Sequence, residues 1–332
     1  MADVREFGRI GEAAVHEIVL RSEAGATASI LTIGAAIRAL EVPLRDGTRR
    51  SVVLGLETAP EYADNPGHLG VMVGRVANRI GGGRFRLDGR EVVLPINDGG
   101  RNTLHGGPIG FTRRIWRIVG ATATTVDLAL TSPDGEEGWP GRVEARLRYA
   151  LEGTALAITA EATSDAPTPV NLANHAYLTL SGGDDCRDHL LRIAAEFHTP
   201  VDDAMIPTGA VAPVAGTRFD FRAARPIGGD YDINFVLAGA PGEIARAAEV
   251  TAPDGRLRLE VETDQPGLQL YTAQWLGEAV VGGRRVGARG GFCLEAQGLV
   301  DAPNKRHFPS VTLRPGATYR HATIYRFVAL GD

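Results

Sequence analysis

Val143-Glu-Ala-Arg-Leu-Arg-Tyr-Ala-Leu151 sets Val143, Ala145, Leu147, Tyr149 and Leu151 in alternation with Glu144, Arg146 and Arg148. A period of two marks a strand with one face in a core and the other in solvent. The pattern recurs at Leu257, Leu259 and Val261 against Arg258, Glu260 and Glu262, and again at Val126, Leu128 and Leu130. Between such runs lie turn signals. Asp88-Gly89 is predicted to join two strands through a type I′ turn, because both central positions of that turn need a positive φ. Glu152-Gly153 is predicted to fold Val143–Leu151 back onto Ala155–Ala162, and Gly81-Gly82-Gly83 reads as a hairpin bend. The best helical candidate is short, Thr58–Asn65. No repeat, low-complexity tract or linker divides the chain. The expectation is therefore an all-β fold, a large antiparallel β-sandwich with very little helix, forming one domain over residues 1–332.

Composition narrows the function. The 332 residues are 44% hydrophobic with a net charge of −5, and the mean hydropathy is −0.06. These are globular values, and no apolar run approaches the ~18 residues of a membrane span. The first residues, Met1-Ala-Asp-Val-Arg-Glu6, carry no cationic segment followed by an apolar one, so no secretory leader is expected and the cytoplasm is the expected location. Cys186 and Cys293 are the two cysteines. Without a Cys-x-x-Cys spacing they suggest neither a disulfide framework nor a thiolate metal site. Lys305 is the single lysine among 35 basic residues, and it has no glycine-rich approach, which argues against a phosphate-binding loop or Schiff-base chemistry. The arginines are scattered, so no nucleic-acid surface is expected.

Two further stretches carry chemistry. In Asn171-Leu-Ala-Asn-His175-Ala-Tyr177-Leu-Thr179, strand alternation puts His175 on a face with Asn171, Tyr177 and Thr179. In Gly291-Phe-Cys-Leu-Glu295-Ala-Gln297 it puts Glu295 with Cys293 and Gln297, leaving Phe292, Leu294 and Ala296 on the apolar side. A histidine and a carboxylate on polar strand faces are the minimum parts for giving a proton to one atom and taking one from another. A lone histidine is by default structural, and a buried glutamate can be so too. Trp139 and Trp275 are read as core or rim packing, and Arg75 as structural.

The ordered motifs add specificity. They are Gly74-Arg-Val-Ala-Asn78-Arg79-Ile80, Asn102-Thr-Leu-His105-Gly-Gly107, Ser132-Pro-Asp-Gly-Glu-Glu-Gly-Trp139, Pro169 through Tyr177, Ile206-Pro-Thr-Gly209, Tyr231-Asp232-Ile-Asn234, Gln265 through Tyr271, Phe292 through Gln297, and Asp301-Ala-Pro-Asn304. In these the chain resembles the aldose 1-epimerase (galactose mutarotase) family from about residue 5 to about residue 328. The resemblance implies the mutarotase-like β-supersandwich with a sugar cleft. It also implies interconversion of the α and β anomers of a free aldose by ring opening, rotation about C1–C2 and reclosure.

Carried onto this sequence, the resemblance makes Glu295 the base at the C1 hydroxyl and His175 the acid at the ring oxygen. It places Asn78, Arg79, His105, Tyr177, Asp232 and Gln269 around the sugar, and it implies neither cofactor nor metal. The expected partner is a monosaccharide, and the chain is expected as a monomer or homodimer. The acid–base pair is expected ~6–8 Å apart, each within hydrogen-bond reach of its own oxygen. His175 is expected to be protonated and Glu295 ionised, with hydrogen-bond donors around the carboxylate. Departures such as Asp232-Ile-Asn234, where relatives commonly have Asp-His-Asn, bear on sugar preference more than on chemistry. Two other readings share the cleft. A sugar sensor would lack Glu295 or His175, and a sugar-phosphate epimerase would need cations at the cleft mouth.

Overall fold

The computed structural model of the chain describes residues 2–182, 185–240 and 242–331. Three antiparallel sheets dominate it. A five-stranded meander runs from Asp3–Ile10 through Arg49–Ser51. A nine-stranded sheet is built around Val143–Glu152, and a second five-stranded sheet contains Asp232–Leu237, Gly267–Tyr271 and Cys293–Gln297. The strand Val143–Glu152 alternates buried and exposed residues as its sequence predicts. It pairs with Ala155–Ser164 through the Gly153-Thr154 turn. The apolar sides of all three sheets merge into one cluster, which includes Ile18, Leu128, Leu147, Ile233, Leu294 and Phe327.

The predicted hairpin at Asp88-Gly89 forms between Arg84–Leu87 and Arg90–Val93, with φ of 48° and 81° at the two turn residues. The one α-helix among the described residues is Ala59–Asp64. Its start is a capping box in which the Thr58 hydroxyl accepts from the Glu61 N–H and the Glu61 carboxylate accepts from the Thr58 N–H. Among the described residues no helix is long and apolar enough to cross a membrane.

Two local expectations need correction. Gly81–Gly83 is a 3₁₀ turn, not a hairpin bend. It carries the chain from Arg79–Ile80, paired with Thr103–Leu104, to Arg84–Leu87, which pairs elsewhere. The stretch Asn171–Thr179 forms a ladder only at Ala173–Asn174, with single bridges at Asn171 and Leu178. It is pinned on both sides by separate partners, including Val71, Gly70 and Phe292, so no single neighbouring strand runs its length.

Arg75 is the largest polar side chain in the interior. Its guanidinium donates to the Ser132 hydroxyl at 2.8 Å and to the carbonyls of Ser132, Pro133, Pro140 and Gly141 at 2.7–3.1 Å. It thereby fixes the loop that carries Trp139, whose indole N–H donates to the Gly106 carbonyl beside His105. Arg75→Met should cost at least about 3 kcal/mol, because several buried carbonyls lose their donor together. Urea unfolding measures this, and a loss below ~1 kcal/mol would show that the loop rearranges freely.

Candidate active site

A cleft of about 200 Å³ opens on the polar face of the second five-stranded sheet. Strand register sets its floor. Asp232 lies opposite Tyr271, and Tyr271 opposite Cys293; Asn234 lies opposite Gln269, and Gln269 opposite Glu295. Alternation then brings Asp232, Tyr271, Cys293 and Glu295 to one side, while Phe292, Leu294 and Ala296 enter the core. His175 is held over this floor by its backbone, whose N–H donates to Val71 and whose carbonyl accepts from Gly70.

The imidazole of His175 bridges two side chains of one strand face. Its Nε2 is 3.6 Å from Glu295 Oε1, and its Nδ1 is 3.5 Å from Cys293 Sγ. The acid–base separation is therefore shorter than the expected ~6–8 Å, because both residues lean over the same strand rather than across the cleft. At 3.6 Å the contact is too long for a good hydrogen bond. The two oxygens of a hemiacetal carbon, which are neighbours on one atom, can lie against this pair. Tyr177 stacks on the His175 ring at 5.2 Å between centroids and donates its hydroxyl to the Gly67 carbonyl.

The opposite wall comes from two short segments that clasp each other. The Asn78 N–H donates to His105 Nδ1 at 3.1 Å, and the His105 N–H donates to the Asn78 carbonyl. Both residues have left-handed φ, 59° and 52°, a conformation that asparagine and histidine tolerate better than most. Because Nδ1 accepts, the neutral His105 ring carries its proton on Nε2. Burial, reinforced by His68, His175 and Arg79, holds its pKa well below the usual histidine range, so the ring is a neutral N–H donor. Arg79 donates through Nε to Asp98 at 2.9 Å and lies 3.3 Å from Asp232. Burial raises the Asp232 pKa although Arg79 pulls it down.

Of the residues expected around a sugar, Asn78, Arg79, His105, Tyr177 and Asp232 line the cleft with His175 and Glu295. Gln269 stands behind, its Nε2 donating to Asp232 Oδ1 at 2.5 Å. Other liners were not assigned to the sugar from the sequence, among them His68, Asp98, Tyr271 and Leu276, while Trp275, read there as core or rim packing, stands at the rim. His68 sits in a loop without periodicity, 4.6 Å from the His105 ring. Trp275 is 62% exposed and stacks on Tyr271, whereas Trp139 is core. A larger cavity, about 390 Å³, lies near Tyr319, but Asp264 is its sole acid and no histidine lines it.

Electrostatics overturn one expectation. Burial presses the His175 pKa down to about 3 and lifts Glu295 well above the ordinary carboxylate range. The donors expected around Glu295 are missing among the described residues, and Oε2 has no partner. The reason is desolvation, since side-chain exposure is 6% for His175 and 2% for Glu295. Burial in the sugar-free site thus favours the proton on Glu295 over the proton on His175. A neutral acid beside a neutral imidazole holds the same number of protons as a carboxylate beside an imidazolium, so one internal transfer arms the pair. His175, Cys293 and Glu295 also come within 4.8 Å of one another, a spacing compatible with metal ligation. The ring's nearest contacts divide between its two nitrogens, the thiol at Nδ1 and the carboxylate at Nε2.

A β-sandwich with a sugar-sized cleft, a histidine–glutamate pair and surrounding hydroxyl-binding groups defines an acid–base carbohydrate isomerase. Sequence comparison agrees: the aldose 1-epimerase family profile matches residues 16–326. The chain is 40% identical to the galactose mutarotase of Rattus norvegicus over 97% of both chains. It is 38% identical to the aldose 1-epimerase of Escherichia coli K12 over 94% of this chain and 95% of that one. Among solved structures, a GalM/aldose epimerase homologue from C. elegans superposes with a TM-score of 0.91 at 31% identity, covering 96% of this chain and all of the other. The chain belongs to the aldose 1-epimerase family, and its activity is mutarotation, an isomerase reaction on a sugar.

Proposed function

We propose that the cleft takes a free aldose, with galactose as the first candidate because it is named in the mutarotase relatives, and that Glu295 and His175 carry the proton transfers. The observation that carries this reading is the buried pair at 3.6 Å with Glu295 Oε2 unpartnered. Sugar hydroxyls supply the donors that Glu295 lacks and so favour its ionised form, sending its proton to His175 Nε2. Glu295 then takes the C1 hydroxyl proton as a carbonyl forms at C1. The C1–ring-oxygen bond breaks, and that oxygen takes the Nε2 proton. Ring opening returns the pair to the neutral state that burial favours, so desolvation makes Glu295 a stronger base and His175 a stronger acid. Rotation about C1–C2 and the reverse transfers close the other anomer.

Arg79 is the one cation lining the cleft among the described residues, and it is already paired with Asp98 and Asp232. Beside three acids this disfavours a phosphorylated sugar. The same reading takes residues 1–332 as one domain, supported by a core cluster that spans Ile18 to Phe327, and as a cytoplasmic protein.

Polarimetry of freshly dissolved α-anomers across a sugar panel tests the proposal. Galactose should equilibrate well above its spontaneous rate; a rate equal to the spontaneous one for every sugar would leave only a binding protein. The same assay addresses selectivity. Asp232 has its carboxylate in the cleft, away from the acid–base pair. Asp232→Ala should raise KM and shift the ranking of sugars by ~1–3 kcal/mol, the cost of stranding a polar partner. An unchanged ranking in a folded variant would make Asp232 a support for Arg79 alone.

A further inference from the structure

Cys293 has no role in the reaction as described so far. It is wholly buried, stands two residues before Glu295 on the same strand face, and touches the opposite side of the His175 ring. Cys293 is the sole side-chain partner of His175 Nδ1 among the described residues. A second acceptor near the ring is the main-chain carbonyl of His175 itself, which also takes the Gly70 N–H on one of its two lone pairs.

We propose that Cys293 is a positioning residue for the proton donor: its sulfur accepts the His175 Nδ1–H, keeping that proton in place and leaving Nε2 as the nitrogen that exchanges protons. The proposal rests on the assignment of His175 above. Two arrangements of the contact are chemically open, since a thiol can donate or accept weakly. If the S–H donated, the neutral ring would hold its proton on Nε2. The carbonyl oxygen of the Glu295 carboxylic acid, 3.6 Å away, would then take the Nε2–H, and the acid's own O–H would find no acceptor on the ring. With Nδ1–H directed at sulfur, Nε2 presents a lone pair to Glu295 in the resting site. It gains a proton when the pair is armed and gives it to the ring oxygen on opening. The Nδ1 contact is unchanged throughout.

The choice of sulfur also sets acid strength. Burial and the neighbouring Glu295 hold the Cys293 thiol well above its usual pKa, so it stays neutral. A carboxylate at this position would stabilise the imidazolium and weaken it as an acid. A weak, neutral acceptor fixes the tautomer without doing so. The other titratable or charged groups facing the ring supply no strong acceptor at Nδ1. His68 and His105 lie on the far wall, Tyr177 stacks on the ring, and Tyr271 meets it edge-on at 6.2 Å. Arg79 and Asp232 are paired with each other in the same cleft.

The test combines pH-resolved kinetics with ¹⁵N NMR of the imidazole in wild type, Cys293→Ala, Cys293→Ser and His175→Asn. Wild type should show a protonated Nδ1 in the resting protein. Cys293→Ala should lose roughly tenfold in kcat with KM little changed, because a buried donor loses its side-chain acceptor, and proton density should move toward Nε2. Cys293→Ser, whose oxygen can accept the same N–H, should recover most of the rate and the wild-type tautomer. A wild-type ring protonated on Nε2 would overturn the proposal. So would a Cys293→Ala enzyme with full kcat, or a serine variant no better than alanine. Full activity in His175→Asn would remove the underlying assignment as well. Loss in His175→Asn beside full activity in Cys293→Ala would sink the cysteine's role alone.

Discussion

Glu295→Gln is expected to slow anomer interconversion by roughly 10²–10⁴-fold, the usual share of a positioned general base, while sugar affinity falls only modestly. The substitution keeps the size of the side chain and one acceptor oxygen, so the cleft retains its shape. What it removes is the carboxylate that must accept the C1 hydroxyl proton. Folding should not suffer. The native side chain is desolvated and has an unpartnered oxygen, so a neutral amide replaces a group whose charge burial already disfavours. Spontaneous mutarotation must be subtracted, since it sets a floor under the measurable loss. A rate well above that floor in Glu295→Gln would mean that another group is the base, and Asp232 would be the first to examine.

The second large effect concerns stability in acid. His68 and His321 are pressed to about 4 and His175 to about 3, chiefly by burial. His105 and His189 are also held below their ordinary value by burial. A histidine whose folded pKa is depressed contributes stability above its unfolded pKa and loses it as pH falls toward the folded value. The window here runs from about 6.5 down to about 4. Glu295 and Asp232 act in the opposite sense, because burial raises their pKa. They keep protons that the unfolded chain has released, so they add stability as pH falls toward 4. The depressed histidines, His198 among them, outnumber the two raised acids, so unfolding takes up protons near pH 5 and stability falls with pH by about 1.4 kcal/mol per pH unit for each net proton. Urea denaturation at pH 6.5, 5.5 and 5.0 should show this slope. A flat profile would mean that the histidines titrate in the native state.

The fold was legible because its strands are amphipathic. The alternation at Val143–Leu151 and the Asp88-Gly89 turn are local facts that tertiary packing had no reason to overturn. Asn171–Thr179 was misread as a continuous strand because its backbone is held by several elements in turn, which no pattern within the segment records. The site was legible where motifs placed His105, Asn78, Arg79, His175, Asp232 and Glu295. Alternation around Glu295 even put Cys293 on the right face. His68 was invisible, since a loop residue reaches a cleft only through the folding of distant strands. Gln269, expected at the sugar, also donates to Asp232, a link that side-chain type alone cannot reveal. The resting charge of the pair was not legible, because charge complementarity can be inferred from residue types, whereas the burial that works against it cannot.

The central claim is that His175 and Glu295 act as one unit, one giving the sugar a proton as the other takes one. A double-mutant cycle tests it most directly, with anomer exchange of galactose measured by NMR in wild type, Glu295→Gln, His175→Asn and the double variant. Each single substitution should cost a similar 10²–10⁴-fold, and the double variant should be little slower than the worse single, because ring opening needs both transfers together. Losses that multiply in the double variant would contradict the claim, since each residue would then be acting on its own.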